Sequence, residues 1–366
     1  MFGNVYQGKR VFITGHTGFK GSWLTIWLLK LGAQVTGFSD CVPTSPSLFD
    51  TSGLGDRIDH QVGDIRDLQR LRQALMDAKP DFVFHLAAQA IVSTSYAQPI
   101  DTITTNVLGT ANVLEALREI EHDCVAVIVT SDKCYENVEW PWGYKETDHL
   151  GGKDIYSGSK GAAEIIFHSY FHSFFNREDH PVRLATGRAG NVIGGGDWAK
   201  DRIVVDCMRN WSEGQPVEIR SPRATRPWQH VLEPLSGYLT LGATLTSSQA
   251  LRGESFNFGP RSEQNRTVLD LLSDLSVHWQ FANPNEAYRV TADIPFHEAG
   301  LLKLTCDKAL FHLKWESNLG YHECVKFVSE WYYQFYKTKA DMFGLTVAQI
   351  EQYEAFATER SLVWAR

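Results

Sequence analysis

Several common signatures are missing from this 366-residue chain. Its six cysteines, at positions 41, 124, 134, 207, 306 and 324, form no CxxC pair and no framework spacing. Neither a disulfide scaffold nor a structural zinc site is therefore expected. The 13 histidines include no HExxH or comparable ligand pair, and no metal is assigned. No run approaches the about 18 consecutive apolar residues that a membrane helix needs. The opening stretch, MFGNVYQGKRVFITG, has no long apolar segment followed by a small-residue cleavage site. Together these absences read as a cytoplasmic protein with reduced thiols. Positive charge is also scarce, with 35 Lys and Arg against 43 Asp and Glu and a formal net charge of -8. That balance argues against nucleic acid and against an anionic membrane as partners. Any anionic ligand must be held by local Arg and Lys clusters.

What is present is an α/β rhythm. Arg10 to Thr14 reads as a strand, followed by a glycine turn and a helical run from Ser22 to Leu31. Strands are expected at Gln34 to Phe38, Asp81 to Leu86 and Val125 to Thr130, with a helix from about Thr102 to Ile120. Continuous apolar strands alternating with helices indicate βαβ units and a parallel sheet buried on both faces. The expected fold is a Rossmann-type, doubly wound parallel sheet with a smaller C-terminal α/β substrate lobe. Residues 1–190 form the dinucleotide domain, with later strands returning to it. Residues 191–340 form the interleaved lobe, where prolines at 216, 222, 227, 234 and 260 break the rhythm, and 341–366 form a helical tail.

Three segments carry chemistry. Gly15-His16-Thr17-Gly18-Phe19-Lys20-Gly21 lies between the first strand and the first helix, where glycines let the backbone approach a pyrophosphate at a helix N-terminus. Tyr156 and Lys160 are spaced i, i+4, which puts both on one helical face. A nearby ammonium and a cationic cofactor favour phenolate, so Tyr156 can take a proton from a hydroxyl. Thr130-Ser131-Asp132-Lys133 ends a strand on the side where doubly wound sheets bind ligands.

The glycine turn is similar to that of the extended short-chain dehydrogenase/reductase superfamily. Asp64-Ile65-Arg66-Asp67, His85-Leu86-Ala87-Ala88-Gln89 and Asn106-Val107-Leu108-Gly109-Thr110 match that superfamily in order. The resemblance implies NAD contacts from Gly15, His16, Thr17, Gly18, Phe19, Lys20 and Gly21. It adds Ser39, Asp64 and Ile65 towards the adenosine, Leu86, Ala87 and Ala88 along the middle, then Asn106, Thr130, Tyr156 and Lys160. Ser39 and Asp40 occupy the point where an acid normally grips the adenosine ribose, and no Arg stands there for a 2′-phosphate, so NAD is favoured over NADP. Ser131 resembles the third member of the Ser/Thr–Tyr–Lys set.

Val129-Thr130-Ser131-Asp132-Lys133-Cys134-Tyr135 resembles the CDP-glucose 4,6-dehydratases more narrowly, as do Pro43 to Phe49 and Arg226-Pro227-Trp228-Gln229-His230-Val231-Leu232-Glu233. In dTDP-glucose relatives a Glu stands where this chain has Lys133. The resemblance implies Asp132 as the acid at the C6 hydroxyl and Lys133 as the C5 base. Substrate contacts are expected from Gln89, Asn191, Arg202, Arg220, Arg226 and His230, the arginines because their planar forks suit phosphate. Two alternatives stand beside a dehydratase: a sugar-nucleotide 4-epimerase, which needs no role for Asp132 and Lys133, and a non-catalytic NAD(P)-sensing protein, which would not need both Tyr156 and Lys160. A homodimer or homotetramer is expected by resemblance, through the helices at 102–120 and 155–175.

Overall fold

The computed structural model describes residues 1–219, 221–261, 264–279, 281, 283, 286–291 and 302–366. In the first half the chain runs β1 (Arg10–Thr14), α1 (Phe19–Lys30), β2 (Gln34–Ser39), α2 (Leu48–Thr51), β3 (Asp59–Val62), α3 (Leu68–Ala78) and β4 (Phe82–His85). It continues through α4 (Val92–Ala97), α5 (Pro99–Ile103), α6 (Gly109–Arg118), β5 (Cys124–Val129), α7 (Ile155–Tyr170) and β6 (Val182–Ala189).

The later half holds β7 (Val192–Ile193), α8 (Ile203–Ser212), β8 (Val217–Ile219), β9 (Thr225–Pro227), β10 (Gln229–His230) and α9 (Leu232–Leu245). Then come β11 (Ser255–Phe258), β12 (Asn265–Thr267), α10 (Val268–His278), β13 (Tyr288–Val290), α11 (Asp307–Leu313), α12 (Tyr321–Tyr333) and α13 (Met342–Glu359).

Seven strands form one sheet in the order β11-β6-β5-β4-β1-β2-β3, and every pair in it is parallel. The sheet is doubly wound, since the chain leaves β1 towards β2 and β3 and then crosses to β4 on the other side. Ligands bind such sheets at that switch point, beyond the carboxyl ends of the strands. Here the crevice opens between the turn after β1 and Leu86–Ala87 after β4. Apolar clusters cover both faces, one around Trp23, Trp27, Phe84 and Tyr353, the other around Phe12, Phe38, Val83 and Phe167. The shorter strands of the later half pair as β7 with β10, β9 with β12 and β8 with β13.

Two expected helices are interrupted. The segment expected as one helix from Thr102 to Ile120 divides into α5, a wider i→i+5 turn over Thr104–Leu108, and α6. The wider turn aims Asn106 inward and lets Gly109 pass Ile65, where a Cβ would lie 2.5 Å from Ile65 Cδ1. A similar wide turn at Phe171–Phe175 follows α7. The C-terminal helix α13 packs on α1, and Glu354 accepts hydrogen bonds from Trp27 Nε1 (2.8 Å) and Lys30 Nζ (2.6 Å). Among the described residues, no helix is long and apolar enough to cross a membrane.

Candidate active site

The phosphate turn is shaped by close approach. Gly15 has φ +77°, and a Cβ there would lie 2.6 Å from the backbone nitrogen of Ala87. A Cβ on Gly21 would lie 2.1 Å from the Gly15 carbonyl oxygen. Gly18 begins α1 with no side chain capping the helix, so the first amides of α1 keep their donors for a ligand. An uncapped helix N-terminus beside an open glycine fits a dinucleotide pyrophosphate. His16 supports the turn from below rather than facing the crevice. It is 0% exposed, with Nδ1 3.1 Å from Ser39 Oγ and Nε2 2.7 Å from His60 Nδ1, and burial lowers its pKa to about 4. Thr17 donates to the Cys41 carbonyl, which fixes the loop after β2.

On the adenosine side, the Asp64 carboxylate is engaged by Arg66, whose hydrogen bonds hold it below the usual carboxylate range. Ile65 is buried, and its carbonyl accepts from Asn112 Nδ2. Beyond β4, Asn106 exchanges hydrogen bonds with the backbone of Gln89 (2.8 and 3.0 Å) and donates to Ser159 Oγ (2.9 Å). Ser159 in turn donates to the Tyr156 carbonyl. Asn106 thus clamps the Leu86–Gln89 segment onto the first turn of α7. The Gln89 side chain is spent locally, on Ile91 and Thr102.

The polar set after β5 meets α7. Ser131 Oγ donates to Asp132 Oδ1 (3.0 Å) and accepts from the Lys133 amide (3.2 Å). Lys133 Nζ lies 3.6 Å from Asp132 Oδ2, with Asp132 buried and Lys133 partly exposed. Gly190 leaves room beside this carboxylate, since a Cβ there would lie 3.3 Å from Asp132 Oδ2. Tyr156, also buried, faces Ser131. Burial pushes its phenol up to about 12, while the Ser131 hydrogen bond and Arg202 pull the other way. Lys160 is brought down to about 8 by burial, opposed by Cys134 and Glu164. Within the chain alone, desolvation of the ring outweighs the Ser131 hydrogen bond and Arg202.

Beneath this set lies a network that sequence reasoning missed. Glu164 follows Tyr156 and Lys160 at the next i+4 position and is 0% exposed. It pairs with buried Arg188 through Nε (3.0 Å) and Nη2 (2.8 Å), and accepts from Thr130, Thr186 and Ser255. Arg188 Nη1 also donates to Tyr135 Oη (2.7 Å), which donates to Asn257. Thr130 and Tyr135 bracket Ser131–Cys134, so one ion pair ties down both ends of that segment. The repeated i+4 interval from Tyr156 was the signal that could have found Glu164.

The residues expected to bind substrate are dispersed. Arg202 immediately precedes α8, with Nε 3.3 Å from Asp197 Oδ2, and its field reaches Tyr156. Asn191 lies at the corner between β6 and β7. Arg226 is on β9, with Nη1 donating to the Thr225 carbonyl. Arg220 lies outside the described residues. His230 is corrected: it is 0% exposed, edge-on to Trp23 and Phe327, and so touches no ligand-accessible surface. Burial lowers its pKa to about 3, which keeps the ring neutral.

A doubly wound sheet, a glycine turn at its switch point and a buried Ser131–Tyr156–Lys160 set are the features of an extended short-chain dehydrogenase/reductase. Within that superfamily the chain belongs to the family described as GDP-mannose 4,6 dehydratase, whose model matches residues 12–328. It is 45% identical over 358 residues to CDP-glucose 4,6-dehydratase of Salmonella typhimurium, covering 97% of this chain and 99% of that protein. It is 27% identical over 334 residues to dTDP-glucose 4,6-dehydratase of Streptomyces antibioticus, covering 88% and 92%. The fold is shared with a Bacillus anthracis dTDP-glucose 4,6-dehydratase solved with NAD, at TM-score 0.73 and 18% identity over 89% of this chain and 96% of that one. It is shared equally with a Bacillus cereus UDP-glucuronic acid 4-epimerase, at TM-score 0.75 and 22% identity over 89% and 99%.

Proposed function

We propose that the chain is an NAD-dependent CDP-glucose 4,6-dehydratase, which converts CDP-glucose to CDP-4-keto-6-deoxyglucose and water in deoxysugar biosynthesis. The observation that carries this reading is the Asp132–Lys133 pair, 3.6 Å apart and adjoining the Ser131–Tyr156 contact. A 4-epimerase needs only the Ser–Tyr–Lys set, whereas a dehydratase must also remove the C5 proton and expel the C6 hydroxyl. The 45% identity to a CDP-glucose 4,6-dehydratase over nearly the full chain supports the same substrate.

The α1 amides would hold the pyrophosphate of NAD at the glycine turn, and Lys160 its nicotinamide ribose; NAD bound there would supply the two-electron acceptor for C4 and the donor for C6. Tyr156 takes the O4 proton, with Ser131 hydrogen-bonded to the same oxygen. The resulting 4-ketone acidifies C5–H. Lys133 removes that proton while Asp132 gives one to the departing C6 hydroxyl, and a proton returns to C5 when hydrogen is delivered to C6. Asn191, Arg202 and Arg226 are the described residues that bind the substrate diphosphate. The protein works in the cytoplasm as a homo-oligomer. Exposed Ile103 and Leu108 near α5–α6 and Ile155, Ile165 and Phe174 near α7 support a dimer through these helices.

The test is incubation with CDP-, dTDP-, GDP- and UDP-hexoses, followed by mass spectrometry for loss of water. CDP-glucose deuterated at C4 is expected to yield product deuterated at C6. An isomerised hexose without loss of water would establish the epimerase, and solvent hydrogen at C6 would refute internal return of the label.

A further inference from the structure

His85 ends β4 at the switch point of the sheet, in register with Thr14 at the end of β1. It is buried, and no step of the mechanism uses it. Its two ring nitrogens reach opposite walls. Nδ1 lies 2.7 Å from Thr14 Oγ1, and Nε2 lies 3.1 Å from Thr110 Oγ1 on α6. The neighbours fix the position of the ring proton. Thr110 Oγ1 donates its one hydrogen to the Asn106 carbonyl (2.8 Å), a group that can only accept. His85 Nε2 must therefore be the donor to Thr110. Burial and Lys160 lower the pKa of His85 to about 3, so the imidazole is neutral and Nδ1 is an acceptor. Nδ1 takes the Thr14 hydroxyl hydrogen, and Thr14 Oγ1 accepts from the Ala87 amide (3.3 Å).

Donation thus runs one way, from the Ala87 amide through Thr14, His85 and Thr110 to the Asn106 carbonyl. The Asn106 side chain carries it on, from Nδ2 to Ser159 Oγ (2.9 Å), and Ser159 donates to the Tyr156 carbonyl (2.7 Å). One end of this chain is the close approach of Ala87 to Gly15, and the other is the first turn of α7. Hydrogen bonds aligned head to tail strengthen one another in a dry interior.

We propose that His85 is a positioning residue of the redox step, its Nε2–H tautomer setting the distance between the cofactor crevice and the helix that carries Tyr156. The ring spans β1 to α6 as one rigid plane, with an acceptor at the β1 end and a donor at the α6 end. Without that donor the Thr110 oxygen loses its partner, and the turn that aims Asn106 at Ser159 is free to shift. The inference rests on the reading of the glycine turn and Tyr156 as the two sides of one active site.

The experiment compares His85→Leu, His85→Gln and Thr110→Val with the wild type, each as the full chain saturated with NAD. In His85→Leu and Thr110→Val kcat is expected to fall on the order of tenfold or more, as for a displaced reacting group. KM for CDP-glucose is expected to stay within about twofold. His85→Gln puts an amide donor where Nε2 stands and is expected to recover most of the lost kcat. Neutron diffraction from crystals of the NAD-bound wild type is expected to show hydrogen on His85 Nε2 and none on Nδ1. Wild-type kcat in His85→Leu or Thr110→Val, a His85→Gln protein no faster than His85→Leu, or hydrogen on Nδ1 would each overturn the proposal. If His85→Leu does not fold, Thr110→Val and the neutron data decide. Failure of the underlying site reading shows separately, as a Tyr156→Phe protein that turns over at the wild-type rate.

Discussion

Arg188→Met removes the cation that organises the floor of the site. Arg188 is 1% exposed and gives two hydrogen bonds to Glu164 and one to Tyr135. Its loss strands the fully buried Glu164 carboxylate with only the Thr130, Thr186 and Ser255 hydroxyls. Burial by itself would raise the Glu164 pKa, and Arg188, with Thr130 and His168, more than cancels this, so the carboxyl stays below its ordinary range. Breaking a buried pair in this way costs about 3–5 kcal/mol. That is a large part of the about 5–15 kcal/mol that holds a folded protein together. The loss should appear in urea unfolding as a lower midpoint at unchanged slope. The stabilising effect of Glu164 is present above its unfolded pKa of about 4.3 and disappears as pH falls through the lower folded value. Thr130 and Tyr135 also bracket the Ser131–Asp132–Lys133 segment. Where the variant remains folded, kcat should fall about 10²-fold, as for a displacement of about 1 Å, with KM changing far less. A variant within about 1 kcal/mol of the wild type would refute the energetic argument. Full kcat in a destabilised variant would refute the positioning argument.

Tyr156→Phe keeps the ring but removes the proton acceptor, so turnover should fall about 10²–10⁴-fold with little change in substrate affinity. Near-normal turnover would remove Tyr156 from the mechanism. His85 and His230, lowered to about 3 by burial, stay neutral in the folded state while unfolded histidine titrates near about 6.5. Stability is therefore lost as pH falls below that value towards the folded one, and His230→Phe should flatten the loss by about 1.4 kcal/mol per pH unit; an unchanged slope would contradict the burial argument. Lys133→Met should still oxidise C4 but stop before water is lost, leaving persistent absorbance of the reduced cofactor. Solvent exchange at C5 at the normal rate would exclude Lys133 as the base.

The parallel sheet and the phosphate turn were legible because local backbone demands produce them. Apolar runs such as Val11–Ile13 and Phe82–Phe84 report burial on both faces, and Gly15, Gly18 and Gly21 report close approach. The i, i+4 spacing of Tyr156 and Lys160 likewise identified the helical face. What helical spacing does not disclose is the partner waiting opposite. Glu164 meets Arg188 across α7 and β6, and His85 lies between Thr14 and Thr110, through contacts made only when distant segments pack. The error at His230 has the same origin. β10 is two residues long, too short for alternation to show which side is buried, and the aromatic walls come from Trp23 and Phe327, far away in sequence.

The Tyr156 phenol shows why a motif and its chemistry are separate matters. Sequence logic counts a nearby ammonium and a cationic cofactor and predicts an ionisable ring. The structure adds the cost of burial, which lifts the phenol to about 12, while burial also brings Lys160 down to about 8. Desolvation opposes charge on both groups, so the pair by itself resists the ionisation that proton removal requires. A positive ring bound at the glycine turn would favour phenolate at Tyr156 from within the same dry crevice. When that charge is withdrawn by reduction the ring loses this support, and Tyr156 keeps the O4 proton. Binding oxidised cofactor should accordingly release protons and binding reduced cofactor should not, a difference that calorimetry in buffers of different ionisation enthalpy measures. Equal proton release for the two forms would refute this coupling.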